Sequence, residues 1–306
     1  MNIAIIAPYK DVSDWVVTFR ELDPSLTIEV FPNIKENDRI AAVVLWQHPH
    51  GILKEFPNLR LICSMGSGVD HILADPDLPK GIPITRIVDP RLTFSMTNYV
   101  IMGILNFHRQ LFRYLDYKKN KTWDMSNPEI DIQVGVMGAG QLGTDVLDKL
   151  KALGIPALAY GNSPKENYPH PYFHGNQLDE FLRQVNVVVC LLPLTPKTIG
   201  FLNRELFKKF RPGTYLINVA RGKHLIEQDL MDAISEGNVS GALLDVFQEE
   251  PLPANHSFWE HPSIMVTPHI ACITMYQAAV PQILANIKNL SNKAPFQNQI
   301  DPNQGY

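Results

Sequence analysis

One turn constrains this chain more than any other stretch. Between Asp131 and Leu153 the sequence reads D-I-Q-V-G-V-M-G-A-G-Q-L-G-T-D-V-L-D-K-L-K-A-L. A short apolar run, Val134 to Met137, predicts a buried strand. Gly138, Gly140 and Gly143 follow in the order G-x-G-x-x-G. Thr144 to Leu153 read as a helix, with Val146, Leu147, Leu150 and Leu153 on one apolar face. The first glycine permits a tight strand-to-helix bend. The second lets the backbone approach a pyrophosphate, and the third lets helix and strand pack closely. The helix start adds unpaired N–H groups and a positive dipole end. A glycine-rich surface turn would require neither the strand before nor the helix after. The stretch therefore predicts a dinucleotide site.

Composition narrows the rest. A length of 306 residues suggests about two domains at ~150 residues each. Hydrophobic residues at 45% and charged residues at 19% allow a sizeable core and argue against disorder. The net charge of -4 gives no basic field for nucleic acid. No run is long enough to span a membrane. The opening M-N-I-A-I-I-A-P is short, lacks a basic leader, and reads as a strand rather than a signal peptide. Cys63, Cys190 and Cys272 form no C-x-x-C, and the first two sit in apolar runs that suit buried thiols. Reduced thiols suit a cytoplasmic protein.

The glycine motif starts mid-chain, so the strands before it belong to another domain. Those are Ile3 to Ile6, Leu26 to Phe31, Ala41 to Leu45 and Leu59 to Met65, with a short extended piece at Ile84 to Val88. A helix is expected at Val12 to Leu22, with Trp15 and Phe19 inward. Strand–helix alternation predicts a parallel sheet covered on both faces. Ligands gather beyond the carboxyl ends of such strands, where Trp46 and Gly66 to Gly68 stand. One long helix is expected from Ser95 to Tyr117, with Tyr99, Met102, Leu105, Leu111 and Leu115 apolar. After the motif come strands at Ala157 to Tyr160, Val187 to Leu192, Thr214 to Val219, Gly241 to Val246 and Ile264 to Val266. Helices are expected at Leu178 to Gln184, Asn203 to Phe210 and Glu227 to Glu236. A last helix runs to about Leu290, and Pro281 should kink it or mark its first turn.

Three strand ends each deliver one ionisable residue: Arg221 after L-I-N-V-A, Glu250 after L-L-D-V-F-Q-E, and His269 after I-M-V-T-P. Singly, each suits a surface, loop or structural position. Jointly, downstream of a dinucleotide motif, they can converge on a cofactor. His48 and His50 form an H-P-H pair, but missing partners argue for loop residues and no metal.

The motifs G-S-G-V-D-H-I (66–72), G-A-G-Q-L-G (138–143), L-P-L-T-P-K-T-I-G (192–200), N-V-A-R-G (218–222), D-V-F-Q-E-E-P-L-P (245–253) and T-P-H-I-A (267–271) resemble those of the D-isomer-specific 2-hydroxyacid dehydrogenases, in family order over nearly the whole chain. Within that family the chain is most similar to the short bacterial glyoxylate/hydroxypyruvate reductases. Trp46, the run His108 to Tyr117, I-T after H-I-A-C, and the closing G-Y carry that likeness. Asn98 departs from it, standing where the family usually has a glutamate.

The resemblance implies an α/β fold of two doubly wound parallel-sheet lobes. A Rossmann nucleotide-binding domain (96–274) is inserted into a flavodoxin-like substrate domain (1–95 and 275–306), with a cleft between lobes that can close. It implies that His269 is the acid/base, that Glu250 pairs with it and favours the imidazolium, and that Arg221 grips the substrate with its planar fork. Backbone N–H groups around Ser67, Gly68 and Val69 would hold the substrate carboxylate. Trp46 would be a pocket wall, or else a core aromatic. Cofactor contacts would come from Gly138, Ala139, Gly140, Gln141, Leu142, Gly143, Leu192, Pro193, Thr198, Val219, Ala220, Arg221 and His269. Asp245 would bond the nicotinamide carboxamide or merely cap a strand end.

Cofactor choice is legible after the second nucleotide strand. An NAD site usually has an acid there for the ribose 2′-OH. Here the stretch is A-Y-G-N-S-P-K, with Gly161 where the acid would stand. Asn162, Ser163 and Lys165 can instead donate to a 2′-phosphate, which favours NADP(H) over NAD(H), although N-S-P-K also suits an ordinary polar turn. The expected reaction is NADPH-dependent reduction of a small 2-keto or aldehyde acid, glyoxylate or hydroxypyruvate, by a homodimer. The alternatives are another D-2-hydroxy acid, a 3-phosphoglycerate dehydrogenase, and a non-catalytic NAD(P)-sensing regulator on the same fold. The last two fit poorly, for want of a regulatory domain and of a basic patch.

Overall fold

The computed structural model describes residues 1–301, and the closing Gly305-Tyr306 lies outside the described residues. In chain order the first elements are β1 (Asn2–Ile6), α1 (Ser13–Leu22), β2 (Thr27–Val30), β3 (Ile40–Leu45), β4 (Leu61–Ser64), α2 (Asp70–Leu73) and β5 (Ile84–Thr85). Next come α3 (Pro90–His108), α4 (Leu111–Asn120), β6 (Val134–Met137), α5 (Gln141–Ala152), β7 (Ala157–Gly161), β8 (Tyr172–His174), α6 (Leu178–Gln184) and β9 (Val187–Cys190). The chain finishes with α7 (Arg204–Phe207), β10 (Thr214–Asn218), α8 (Glu227–Ser235), β11 (Val239–Leu244), β12 (Ile264–Val266) and α9 (Tyr276–Asn292).

The chain divides into two compact units. The first takes Met1–Leu92 and the returning segment from Thr274. The second takes Thr93–Ile273.

The first unit holds a five-stranded parallel sheet in the order β2-β1-β3-β4-β5. Its central strands are continuous apolar runs, I-A-I-I and I-A-A-V-V-L, buried along their length. Only strands covered on both faces read this way. Trp15 and Phe19 of α1 are buried as the spacing predicts, and α1 packs on α9. α9 begins at Tyr276, so Pro281 lies inside it rather than in its first turn. Buried Asn286 of α9 clamps the tail, donating to the Gln297 carbonyl at 3.0 Å and accepting its N–H at 2.8 Å. That places Ile300 in the core beside β5.

The second unit holds a seven-stranded parallel sheet, β12-β11-β10-β9-β6-β7-β8. Strand order reverses at β6 and β9, so a crevice opens beyond their carboxyl ends. The glycine turn follows β6, and Leu191-Leu192-Pro193 follow β9.

Two differences from the sequence expectations have physical causes. The long helix from Ser95 to Tyr117 is two helices. The His108 carbonyl, which would accept from residue 112, instead accepts the Ile130 N–H at 2.9 Å, and Gln110 is left-handed. Most of its expected apolar face lies exposed, including Leu111 and Leu115; only Tyr99 is buried. Helix α5 begins at Gln141 rather than Thr144, because the Gly140 carbonyl already accepts the Thr144 N–H at 2.9 Å. Leu153 therefore lies past its end and is exposed.

Among the described residues no helix is long and apolar enough to cross a membrane. All three cysteines are free thiols. Burial pushes the Cys63 and Cys190 thiols up to about 12, while Cys272 is partly exposed. A thiolate-directed reagent at pH 8 should therefore label Cys272 alone in the native protein and all three in denaturant. Peptide mass mapping reads this, and native labelling of Cys63 or Cys190 would contradict the burial.

Candidate active site

The glycine turn is shaped by what its glycines leave out. Gly138 has φ +116°, and a Cβ there would lie 2.5 Å from the Leu191 carbonyl oxygen. A Cβ on Gly143 would drive into the Gly138 carbonyl. Gly140 differs: nothing lies within 4 Å of where its Cβ would be. It stands at the N-cap of α5, which no side chain caps and whose first turn holds no acid. An open, uncapped, positively polarised helix start suits a phosphate.

The end of β7 lies beside this turn. The Lys165 amine donates to the Ala139 carbonyl inside the glycine motif and sits 5.3 Å from the Tyr168 ring centre. The Tyr168 hydroxyl pairs with that of Thr144 at 2.9 Å. Asn162, Ser163 and Lys165 are all exposed. A Cβ on Gly161 would collide with the Tyr172 hydroxyl, which donates to the Ser163 carbonyl at 2.5 Å. The sequence reading missed Tyr172 because β8 is only three residues long.

The three ionisable residues follow the ends of β10, β11 and β12, neighbours in one parallel sheet. His269 Nδ1 lies 2.7 Å from Glu250 Oε2. Glu250 Oε1 accepts the Phe247 N–H at 3.0 Å, so the carboxylate is fixed at both oxygens. His269 is left-handed, with φ +54°, and its N–H donates to the Asp245 carbonyl at 2.9 Å. Arg221 directly follows the β10 turn. Its carbonyl accepts from Asn218 at 3.2 Å and faces His224 Nδ1 at 3.1 Å, while its Nη1 donates to the Ala220 carbonyl at 2.7 Å.

Asp245 is the buried support of this group. Its Oδ1 accepts from the Thr267 hydroxyl at 2.7 Å and the Ile270 N–H at 2.8 Å. Its Oδ2 accepts the Ala271 N–H at 2.9 Å. Burial pushes its pKa up, and these hydrogen bonds oppose that rise. These bonds cap the strand end and extend over the whole 267–271 loop. The Tyr99 hydroxyl joins the network through Thr267, and burial pushes it up to about 12. The sequence marks Tyr99 only as an apolar helix position and Thr267 only as part of a motif, since only packing brings α3 beside that loop. Thr198 closes the turn after β9, its hydroxyl donating to the Pro193 carbonyl at 2.7 Å. His224 Nε2 faces the same carbonyl at 3.3 Å. Val219 and Ala220 are buried at the β10 end.

The first unit carries the other expected residues at its own strand ends. Trp46 follows β3 and is half-buried, its Cζ3 2.9 Å from where a Gly66 Cβ would be. Ser67 is exposed, Gly68 partly so, and Val69 buried. The Ser64 hydroxyl donates to the Gly68 carbonyl at 2.8 Å and holds that turn. His48 is buried rather than in an open loop, its Nε2 3.1 Å from Asp75 Oδ2. Burial lowers its pKa, and Asp75 opposes that. Among the described residues no group of three or more His, Cys, Asp or Glu is placed to hold a metal ion.

These features define a parallel α/β protein whose second unit is a dinucleotide-binding fold with an imidazole–carboxylate pair. Comparison with known proteins agrees. Residues 101–271 match the family model described as D-isomer specific 2-hydroxyacid dehydrogenase, NAD binding domain. Glyoxylate/hydroxypyruvate reductase A of Serratia proteamaculans is 37% identical, covering 94% of each chain. That of Photorhabdus laumondii is 36% identical over 100% of both. Two solved structures have TM-scores of 0.90 at 32% identity, each covering 100% of this chain and 99% of the other. One is a D-isomer specific 2-hydroxyacid dehydrogenase from Xanthobacter autotrophicus in complex with NADPH and MES. The other is an NADPH-dependent glyoxylate/hydroxypyruvate reductase from Sinorhizobium meliloti in complex with NADP and sulfate. The chain belongs to the D-isomer specific 2-hydroxyacid dehydrogenase family, and so to the oxidoreductases.

The glycines of the turn should separate binding from folding. Gly140→Ala should leave the melting temperature unchanged and weaken nicotinamide dinucleotide binding about tenfold, ~1.4 kcal/mol. Gly143→Ala should cost about 1–3 kcal/mol of stability by overpacking. Calorimetric titration and thermal denaturation read the two, and equal effects on both would contradict the division.

Proposed function

We propose that the protein reduces small 2-keto and aldehyde acids with NADPH, glyoxylate to glycolate and hydroxypyruvate to glycerate. The observation that carries this is the 2.7 Å pair of His269 Nδ1 and Glu250 in the same unit as the glycine turn. The names of the relatives above support the substrate class. A carboxylate at Nδ1 selects the tautomer protonated there and fixes the ring, leaving Nε2 to exchange the proton. The cofactor, when bound, supplies a hydride. As the substrate oxygen gains negative charge, His269 hands it a proton. Arg221 polarises the carbonyl and holds the substrate carboxylate through a two-pronged guanidinium contact. In the first unit, the backbone N–H groups of Ser67, Gly68 and Val69 are the candidate carboxylate donors, with Trp46 beside that turn. The residues present fit NADPH. The open space at Gly140 would take the pyrophosphate, with the neighbouring turn residues Ala139, Gln141, Leu142 and Gly143. Asn162, Ser163 and Lys165 would take the 2′-phosphate, and Leu192, Pro193, Thr198, Val219, Ala220 and Asp245 would flank the remainder.

A homodimer belongs to this reading. The face of Leu111 and Leu115 on α4 is exposed, as are Trp123 at 91% and Met125 at 78%, all in the second unit. Exposed apolar groups of this kind suit a second copy of the chain. A cytoplasmic setting also belongs to it, supported by the three free thiols.

His269→Ala should lower kcat by about 10²–10⁴-fold while NADPH binding stays nearly intact. Arg221→Lys, losing one charge-assisted bond of about 1.5–3 kcal/mol, should lower kcat/KM about 10- to 100-fold. Steady-state kinetics on glyoxylate and hydroxypyruvate check both, and full turnover in either variant removes that residue from the site. A panel of other 2-keto acids tests the substrate class. Absence of turnover on all would favour a cofactor-sensing protein. In light scattering the protein should have about twice the 34.6 kDa chain mass, and a Leu111→Lys/Leu115→Lys variant about that mass alone. A monomeric parent protein would refute the dimer.

A further inference from the structure

Cofactor selection at a site of this kind is ordinarily decided by the residue that ends the second strand of the nucleotide fold. Here that residue is Gly161, and its neighbourhood explains why it has no side chain. Strand β8 pairs in parallel with β7, with Tyr172 opposite Ala159 and His174 opposite Gly161. Side chains alternate along a strand, so Tyr172 shares a face with Ala159 and Gly161. From that position its ring leans toward the carboxyl end of β7. Its Cε2 and Cζ lie 3.3 Å from where a Cβ on residue 161 would be, and its hydroxyl lies closer still. An aspartate or glutamate at 161 cannot enter while Tyr172 keeps this position.

The same hydroxyl acts on the loop beyond. It donates to the Ser163 carbonyl at 2.5 Å, fixing the backbone between Asn162 and Lys165. The Tyr172 ring packs on Tyr168 with centres 5.0 Å apart. Tyr168 is bonded through Thr144 to the first turn of α5, and Lys165 lies over its ring. Lys165 reaches the glycine turn at Ala139 and has no carboxylate within ion-pair distance among the described residues. The nearby Asp148 is engaged by His170 at 2.8 Å. The two tyrosines thus brace an exposed, cationic loop against the place where the pyrophosphate would bind.

We propose that Tyr172 is the residue that selects NADPH over NADH in this chain. It excludes an acid at position 161 and positions Ser163 and Lys165 for a 2′-phosphate. The inference rests on the NADPH reading above and deepens it. Tyr172 is a positioning residue, since it acts through the 162–165 loop rather than by the chemistry.

The test compares the parent protein with Tyr172→Phe, Tyr172→Ala, Gly161→Asp and the Gly161→Asp/Tyr172→Ala pair. The readouts are kcat/KM for NADPH and NADH, inhibition by 2′,5′-ADP against 5′-ADP, and melting temperature. Tyr172→Phe keeps the ring and loses the bond to Ser163. Its NADPH/NADH ratio should fall about five- to tenfold, with weaker inhibition by 2′,5′-ADP and little change with 5′-ADP. Gly161→Asp alone should impair both cofactors. Adding Tyr172→Ala should restore NADH use and move the ratio about 100-fold toward NADH. An unchanged ratio in both single tyrosine variants, with a parent protein that prefers NADPH, overturns this inference and leaves the NADPH reading standing. So does a switch to NADH in Gly161→Asp with Tyr172 in place. A parent protein with equal kcat/KM for both cofactors overturns the NADPH reading itself. Should the aspartate variants fail to fold, the ratios and inhibition constants of Tyr172→Phe and Tyr172→Ala decide the matter alone.

Discussion

The arrangement of the second unit depends on one buried carboxylate. Asp245 is 1% exposed and directly follows the strand next to β12. A carboxylate taken out of water is costly unless its oxygens are satisfied. The loop that follows β12 supplies three donors to Asp245, from Thr267, Ile270 and Ala271. Its backbone carbonyl takes a fourth, the His269 N–H. The loop is therefore pinned on both sides of His269, whose left-handed backbone is unfavourable for a residue with a side chain. The strain is held by the bonds around it, and the imidazole is presented to Glu250 at a fixed distance. Support by a buried group, rather than by His269 and Glu250 themselves, gives the pair its precision.

A parallel sheet makes such a grouping economical. All its strands end at one edge, so residues far apart in sequence arrive together when each directly follows a strand. The glycine turn, the Pro193 turn, Arg221, Glu250 and His269 follow β6, β9, β10, β11 and β12, all strands of one sheet. The same logic places Trp46 and the Gly66–Val69 turn at strand ends in the first unit. Its sheet is built and satisfied independently, with its own core from Ala4 to Ile300.

Much of this was legible in the sequence because the signals are local. Apolar runs such as V-V-V-C and A-A-V-V-L identify strands buried on both faces, and all but one of the strands were found within a few residues. The glycines at 138, 140 and 143 mark the turn by their spacing alone, although the carbonyl that crowds Gly138 comes from Leu191. What escaped was non-local. The break after His108 exists because Ile130, 22 residues on, takes the helix's acceptor. The three-residue β8 is too short to show a period, so Tyr172 and its hold on Ser163 were invisible. Likewise His48 reads as a loop histidine until Asp75 is seen beside it.

The sequence by itself determined the fold class, the phosphate-binding turn and the residue types available for chemistry, since each follows from spacing along the chain. Tertiary structure alone decided how those residues are held. It turned Asp245 into the anchor of the His269 loop, set Glu250 at 2.7 Å from the imidazole, and laid Tyr172 over Gly161. The reason is physical. Periodicity records which face of an element is buried, but a hydrogen bond or a steric exclusion exists only once two distant elements share a volume.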